Sequence, residues 1–262
     1  MRINLIKSIS LGLICFFVSS VAIAAETASR GPMGSAQDRI ETRRDAEEAV
    51  DKATKLVNDM ANATDSNKKI PDALLKSAQA IVIVPNVIKA GLVAGGRYGQ
   101  GVLLARNQDQ WSNPVIVSLG GASLGAQIGG ESSDMVMIFQ NPQAVWNLLQ
   151  DRAFTLGVDA SIAAGSAGAK AKAMATEADI VSYQRTEGLF VGVALTGGGI
   201  DVDEEATKAY YQMDDKSANA YFGDNEEQIS RKFLNADQKD SGLNAPQSAK
   251  TLQNALKRFV KG

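Results

Sequence analysis

Glycine is spread through the very runs of this chain that otherwise read as β-strands. Eighteen of its 24 glycines lie between Gly91 and Gly199, inside GGRYGQGVLLAR, VSLGGASLGAQIGG, LGVDASIAAGSAG and GLFVGVALTGGG. A glycine inside a strand has no side chain to pack and loses much backbone freedom. Its repeated use there predicts bulges, sharp curvature or close approach of a second backbone. A bent sheet, built for a surface or a ligand, is expected. The chain also contains no histidine, which removes the commonest general base and metal ligand.

The first residues read as a secretion signal. Arg2 and Lys7 precede an apolar run from Ile9 to Ile23, and Ala22-Ile23-Ala24 places small residues at the −3 and −1 positions of a cleavage site after Ala24. The run is about 15 residues long, marginal for a bilayer span. The expectation is an exported protein, periplasmic or envelope-associated in a bacterium. Cys15 follows Ile14 and precedes Phe16-Phe17. It lacks the small residue that precedes a lipid-modified cysteine, so it reads as part of the apolar run. Beyond Ala24 there is neither Cys nor His, so stability must come from a packed core without disulfides. Residues 1–24 hold two of the 27 cations and none of the 29 acids, which leaves 238 residues at a net charge of −4. That length supports one sizeable core, and that charge argues against a general nucleic-acid binder.

Four stretches follow: 1–24 as the signal, 25–66 as linker and N-terminal helix, 67–212 as the main domain, and 213–262 as a polar helical extension. From Asp38 to about Asn62, Ala46, Val50, Ala53, Val57 and Met60 recur at helical spacing. Pro71 suits the first turn of a short helix, PDALLKSA. Ala80–Val84 (AIVIV) reads as a buried strand ended by Pro85. Strands are expected at 97–106, 115–119, 123–129 and 134–139, a helix from Pro142 to Leu149, and strand again from Phe154 to Ala164. The alanine-rich 167–178 is a helix or a loose crossing. Ile180–Arg185 and Leu189–Thr196 form a hairpin that Gly197–Gly199 ends. Asp203 caps a helix beginning with Glu204 and Glu205. The last helix, about 245–260, carries one stripe of Leu252, Leu256, Phe259 and Val260 amid Lys250, Lys257, Arg258 and Lys261. It is either a core strap or a membrane-surface helix.

Several motifs offer chemistry that their context withdraws. Gly121-Ala122-Ser123-Leu124-Gly125 matches the G-x-S-x-G nucleophile elbow, but no histidine exists to activate the serine. Ser66-Asn67-Lys68-Lys69 fits S-x-x-K without its supporting elements. Gly96, Gly99 and Gly101 fit no phosphate-loop spacing. Asp201, Asp203, Glu204 and Glu205 cluster without an EF-hand pattern, and helix capping accounts for them. No catalytic residue, metal site or cofactor is expected. Lys68, Lys69, Lys76, Lys89, Arg97 and Arg106 are the basic residues nearest the glycine block. Lys76 sits beside Leu74 and Leu75 on an amphipathic segment, an arrangement that suits either an anionic lipid surface or a solvated rim.

AIVIVPNVIKAGLVAGGRYGQGVLLAR, WSNPVIVSLGGASLGAQIGG, LGVDASIAAGSAG and YQRTEGLFVGVALTGGGIDVD together resemble the SYLF lipid-binding family in its bacterial, secreted form. The likeness runs from about Ile70 to Tyr211 and rests on a combination of motifs: Val84-Pro85, Lys89-Ala90-Gly91, Gly95-Gly96-Arg97-Tyr98-Gly99, Trp111-Ser112, Gly157-Val158-Asp159-Ala160-Ser161 and Gly188-Leu189-Phe190. The resemblance implies an α+β fold, with a strongly curved, barrel-like antiparallel β-sheet flanked by helices at its N- and C-terminal ends, and a non-enzymatic role. Eukaryotic members are associated with phosphoinositide membranes and some fungal ones with actin, through an amphipathic basic N-terminal part. Pro71–Lys89 matches that part here, with Lys76 and Lys89 as its cations. The match is incomplete, since the short helix has one lysine and one acid, Asp72. The expected partner is an anionic phospholipid or membrane surface, contacted through Lys68, Lys69, Lys76, Lys89 and Arg97. The alternative is a structural or protein-interaction module of the envelope, and no nucleic-acid partner is expected.

Overall fold

The computed structural model describes residues 36–63, 70–91, 94–124, 129–151, 153–165, 178–186, 189–193, 195, 198–222, 243 and 245–261. The chain divides into two compact units, Met1–Ile40 and Glu41–Gly262; the second carries the fold. Helix α1 spans Ala36–Ala61 and buries Ala46, Val50, Ala53, Val57 and Met60, the stripe its periodicity dictates. Helix α2 is Asp72–Ser77. The strands are β1 Ala80–Gly91, β2 Ala94–Asn107, β3 Gln110–Trp111, β4 Val115–Leu124 and β5 Gly129–Phe139. Helix α3 (Pro142–Asp151) separates these from β6 Ala153–Thr155, β7 Ile162–Ala164, β8 Ile180–Thr186, β9 Leu189–Gly192 and β10 Gly198–Val202. Helices α4 (Glu204–Tyr211), α5 (Asp215–Phe222) and α6 (Gln247–Lys261) follow.

One sheet holds all ten strands in the order β6-β10-β4-β2-β1-β5-β8-β7, with β3 added to β2 and β9 to β8. Its strand pairs are antiparallel except β7 with β8, which run parallel. The fold is α+β, and the sheet curls into a half-barrel. The strands at its two ends, β6 and β7, are consecutive in sequence. Residues 156–161 join them, Leu156 bridges to Ala160, and Gly157 takes a φ of 85°. The Thr155 N–H donates to Asp159 Oδ2 at 2.6 Å. Asp179 fastens the same corner: Asn141 Nδ2 donates to it at 2.6 Å, and the Ser161 N–H and Oγ at 2.9 and 2.7 Å.

These donors hold the Asp179 carboxyl below its ordinary range. A carboxylate with a depressed folded-state pKa stabilises above its unfolded pKa, and that contribution is lost as pH falls through the folded value. The stability gap between wild type and Asp179→Ala is therefore expected to be full at neutral pH and to shrink below about pH 4. Urea titrations across that range measure it.

Both faces of the sheet centre are covered. Ile81, Ile83, Val102, Leu104, Val136 and Ile138 face α1, α2, α4 and α6. Val82, Val84, Leu103, Met135, Met137 and Phe139 face α3, α5 and the β6 and β10 strands. This double burial is why AIVIV is apolar without alternation. Asp203 caps α4 as expected, accepting from the Ala206 N–H at 2.9 Å. The Tyr211 hydroxyl donates to the Pro114 carbonyl at 2.7 Å, and Tyr210 shares a 2.8 Å hydrogen bond with Ser248 at the start of α6. Burial pushes the Tyr210 hydroxyl up to about 12.

The structure differs from the sequence reading at identifiable points. Pro85 does not end β1; it opens a bulge, where proline's missing N–H is tolerated. Pro71 caps α2 from outside its first turn. One long β4 replaces the expected breaks between 115 and 124, and residues 125–128 lie outside the described set. Gly198 and Gly199 begin β10 rather than closing a hairpin. Phe154–Ala164 is two short strands at opposite ends of the sheet, because the turn at Gly157 divides it. The alanine-rich segment 167–177 lies outside the described residues.

Candidate functional site

The bulge decides which side chains appear at the glycine-rich end of the sheet. Val84 pairs with Met135 and Val87 with Ser133, so β1 carries one residue more than β5 across Pro85-Asn86. The same slip appears against β2, between Ile83↔Val102 and Ile88↔Tyr98. Asn86 adopts a φ of 52°, and its N–H donates to Asp134 Oδ1 at 3.1 Å. One inserted residue reverses the alternation. Val82 and Val84 share a face with Val87 and Lys89, and Ile88 moves to the other. Two glycines of β2 make room. A Cβ on Gly101 would collide with the Ile83 carbonyl oxygen and lie 2.7 Å from Val84 Cα. One on Gly99 would lie 2.8 Å from Val84 Cγ1.

Beyond the bulge, two rows cross the sheet. Lys89 stands opposite Arg97, and Arg97 opposite Gly121, which pairs with Gly198. In the register on the other side of Lys89 comes Glu131. On the reverse face Ile88 stands opposite Tyr98, followed by Gly120 and Gly199. Ile88 is 58% exposed and Tyr98 50%, although both are large and apolar. A Cβ on Gly120 would meet nothing within 4 Å, so the Ile88–Tyr98 pair borders bare backbone. Partial burial draws the Arg97 guanidinium below its ordinary pKa by desolvation. The row thus runs Glu131, Lys89, Arg97, with Lys89 in register between an acid and a second cation.

The basic residues singled out in the sequence do not form one group. Lys89 and Arg97 are brought together. Lys76 lies on α2, which precedes the opposite end of β1, roughly 30 Å away along the strand at about 3.3 Å per residue. Lys76 is exposed, but Leu74 and Leu75 beside it are buried in the core. The apolar face expected to meet a lipid surface is therefore already in use. Lys68 and Lys69 lie outside the described residues. Arg106 is structural: it donates to the Leu75 and Lys76 carbonyls that end α2, at 3.3 and 3.0 Å, and lies 5.9 Å from the Trp111 ring centroid. Ile88 and Tyr98 were missed in the sequence because their exposure depends on the bulge.

The other motifs find structural places. Ser123 sits within β4 opposite Gly95, not on the strand-to-helix turn a nucleophile elbow needs. Gly96, Gly99 and Gly101 lie inside β2. Glu204 and Glu205 pair with Lys208, at 3.9 and 3.4 Å. Gln100 Nε2 donates to Asp203 Oδ2 at 3.3 Å, and burial raises the Asp201 carboxyl. Among the described residues no three His, Cys, Asp or Glu side chains converge on a metal-sized site, and no helix is long and apolar enough to cross a membrane.

Residues 120–259, just over half the chain, match the family Ysc84, described as "Las17-binding protein actin regulator". An SH3 domain-containing protein of Schizosaccharomyces pombe is 39% identical over 151 residues, which cover 55% of this chain and 35% of that protein. Protein YSC84 of Saccharomyces cerevisiae is 34% identical over 152 residues, 56% of this chain and 32% of its own length. The human SH3 domain-containing YSC84-like protein 1 is 32% identical over 180 residues, 66% and 52% respectively. The matched part of the chain thus spans only about a third to a half of these relatives.

Proposed function

Because the chain belongs to the Ysc84 family, whose shared domain is the SYLF domain, we propose that it is a non-enzymatic binding module whose glycine-rich sheet end docks on an anionic lipid surface. The observation that carries this reading is the pairing at that end: exposed Ile88 and Tyr98 on one face, Lys89 and Arg97 on the other. An aliphatic and an aromatic side chain suit the interfacial layer of a bilayer, where a tyrosine keeps its hydroxyl wet. With the sheet docked by its end, lysine and arginine on the opposite face meet the phosphates, each adding about 1 kcal/mol when close to an anionic surface. Taken with the secretion signal in residues 1–24, the surface is that of the cell envelope.

Sedimentation with phosphatidylglycerol-containing vesicles tests the proposal. Lys89→Glu with Arg97→Glu is expected to weaken binding at least tenfold at low salt. Ile88→Ser with Tyr98→Ser is expected to weaken it at high salt too, where the charge contribution is screened. Binding indifferent to both pairs overturns the assignment.

A second reading follows from the relatives' names, which include LAS seventeen-binding protein 3. Tyrosine and arginine are also the residues that anchor protein interfaces, so the same end could grip a protein of the envelope. Capture of a partner from envelope extracts in detergent, lost in Tyr98→Ser and unaffected by lipid, would favour it.

A further inference from the structure

A second charged surface lies away from the sheet end, on helix α6. Its fifteen residues, QSAKTLQNALKRFVK, include no acid. Ala249, Leu252, Ala255, Leu256 and Phe259 are buried, and Lys250, Lys257 and Arg258 are exposed on the outer stripe with Asn254. From Lys250 to Arg258 the cations extend over about 12 Å at 1.5 Å per residue. Helix α2 packs against α6 and adds the exposed Lys76, with Asp72 the one acid on that short helix. On the α1 side, Arg258 Nη2 donates to Asn58 Oδ1 at 3.3 Å. The neighbouring Asp59 carboxylate is already taken by Lys55 and Arg185.

We propose that this outer face of α6 is a second docking surface, for an anionic phospholipid bilayer. Charge complementarity is the argument: a helix face of one sign, without an acid of its own. Every exposed residue of the helix is polar (Gln247, Lys250, Thr251, Asn254, Lys257 and Arg258). The face therefore carries no aromatic or aliphatic side chain, and its one arginine, the residue type on this face that most often anchors a protein interface, already donates to Asn58. A diffuse sheet of negative charge needs no such anchor, since basic residues within a Debye length add their contributions separately. The surface is separate from Lys89 and Arg97. If both proposals hold, the module has two electrostatic contacts on different elements.

The test uses the full chain and vesicles of phosphatidylcholine with and without phosphatidylglycerol. Lys250→Gln with Lys257→Gln leaves the Arg258–Asn58 contact intact, and its melting temperature should match wild type because both side chains are exposed. This variant is expected to bind anionic vesicles at least fivefold more weakly at low ionic strength, and adding Arg258→Gln should deepen the loss. Wild-type binding by the folded triple variant overturns the inference. The sheet-end variants separate this proposal from the earlier one. Loss only with the α6 changes leaves α6 as the docking surface and removes the sheet end. Loss only with Lys89 and Arg97 does the reverse.

Discussion

Gly101→Val is expected to leave the protein unfolded or destabilised by about 3 kcal/mol or more, the upper range for overpacking a filled interior. The obstacle to any side chain at position 101 is backbone. A Cβ there would run into the Ile83 carbonyl oxygen, with Val84 Cα at 2.7 Å and the Ile83 carbonyl carbon at 2.9 Å. Backbone atoms at the lip of a bulge cannot rotate aside as a lysine tail could. Relief would require β1 to move away from β2, and that shift would break the register holding both faces of the central sheet. Gly120→Ala is the matched control. It places a methyl where nothing lies within 4 Å, so stability should change by no more than about 0.5 kcal/mol. Urea unfolding of the two variants measures the contrast. Equal, small effects would mean that the bulge does not require the close approach.

Ending the chain after Pro246 is expected to have a comparable effect. The deletion removes α6, and with it Leu252, Leu256 and Ala249, all fully buried against α1, Ile81, Leu104 and Trp111. It also removes the Gln253 amide, whose Nε2 donates to the Trp111 and Ser112 carbonyls at 3.2 and 3.0 Å, and the Ser248 partner of Tyr210. Truncating one buried leucine to alanine typically costs 2–5 kcal/mol, commensurate with the roughly 5–15 kcal/mol by which whole proteins are stable. Losing two leucines and a phenylalanine should abolish the cooperative thermal transition, and Leu256→Ala alone should lower it by several degrees. A truncated chain that melts like wild type would show that the stripe is not part of the core. The apolar stripe thus straps the core, and only its cationic reverse is free for a surface.

What could be read from the sequence depended on whether the signal was local. The stripe of α1, the Asp203 cap, the α3 start at Asn141-Pro142 and the α6 stripe each follow from residues within two turns of one another, and each was legible. So was the need for curvature, which the glycines state directly. The meaning of Pro85 was not legible. A proline after AIVIV ends a strand in most settings, and only the glycines across the sheet at 99 and 101 turn it into a bulge. Those partners lie 14 to 16 positions away. The placement of Ile88 and Tyr98 inherits that ambiguity, since the side of the sheet they occupy depends on the inserted residue. The parallel contact of β7 with β8 was hidden because three-residue strands carry no periodicity. Of the five cations picked as one group, the two on β1 and β2 meet because their strands pair antiparallel, with Lys89 opposite Arg97. Lys76 sits near them in sequence but on α2, beyond the far end of the twelve-residue β1.

The six-residue turn between β6 and β7 bears on how this edge of the sheet meets other strands. An open sheet offers its outermost backbone groups to any unfolded neighbour, which is how strands add to one another into aggregates. Here the outermost strand β6 is three residues long. At Thr155 the N–H is taken by the Asp159 carboxylate, and the carbonyl accepts from Val158 and Asp159 at 3.1 and 3.0 Å. At this residue the chain engages its own edge groups within the same corner. An approaching strand would find the outward backbone groups of Thr155 already engaged.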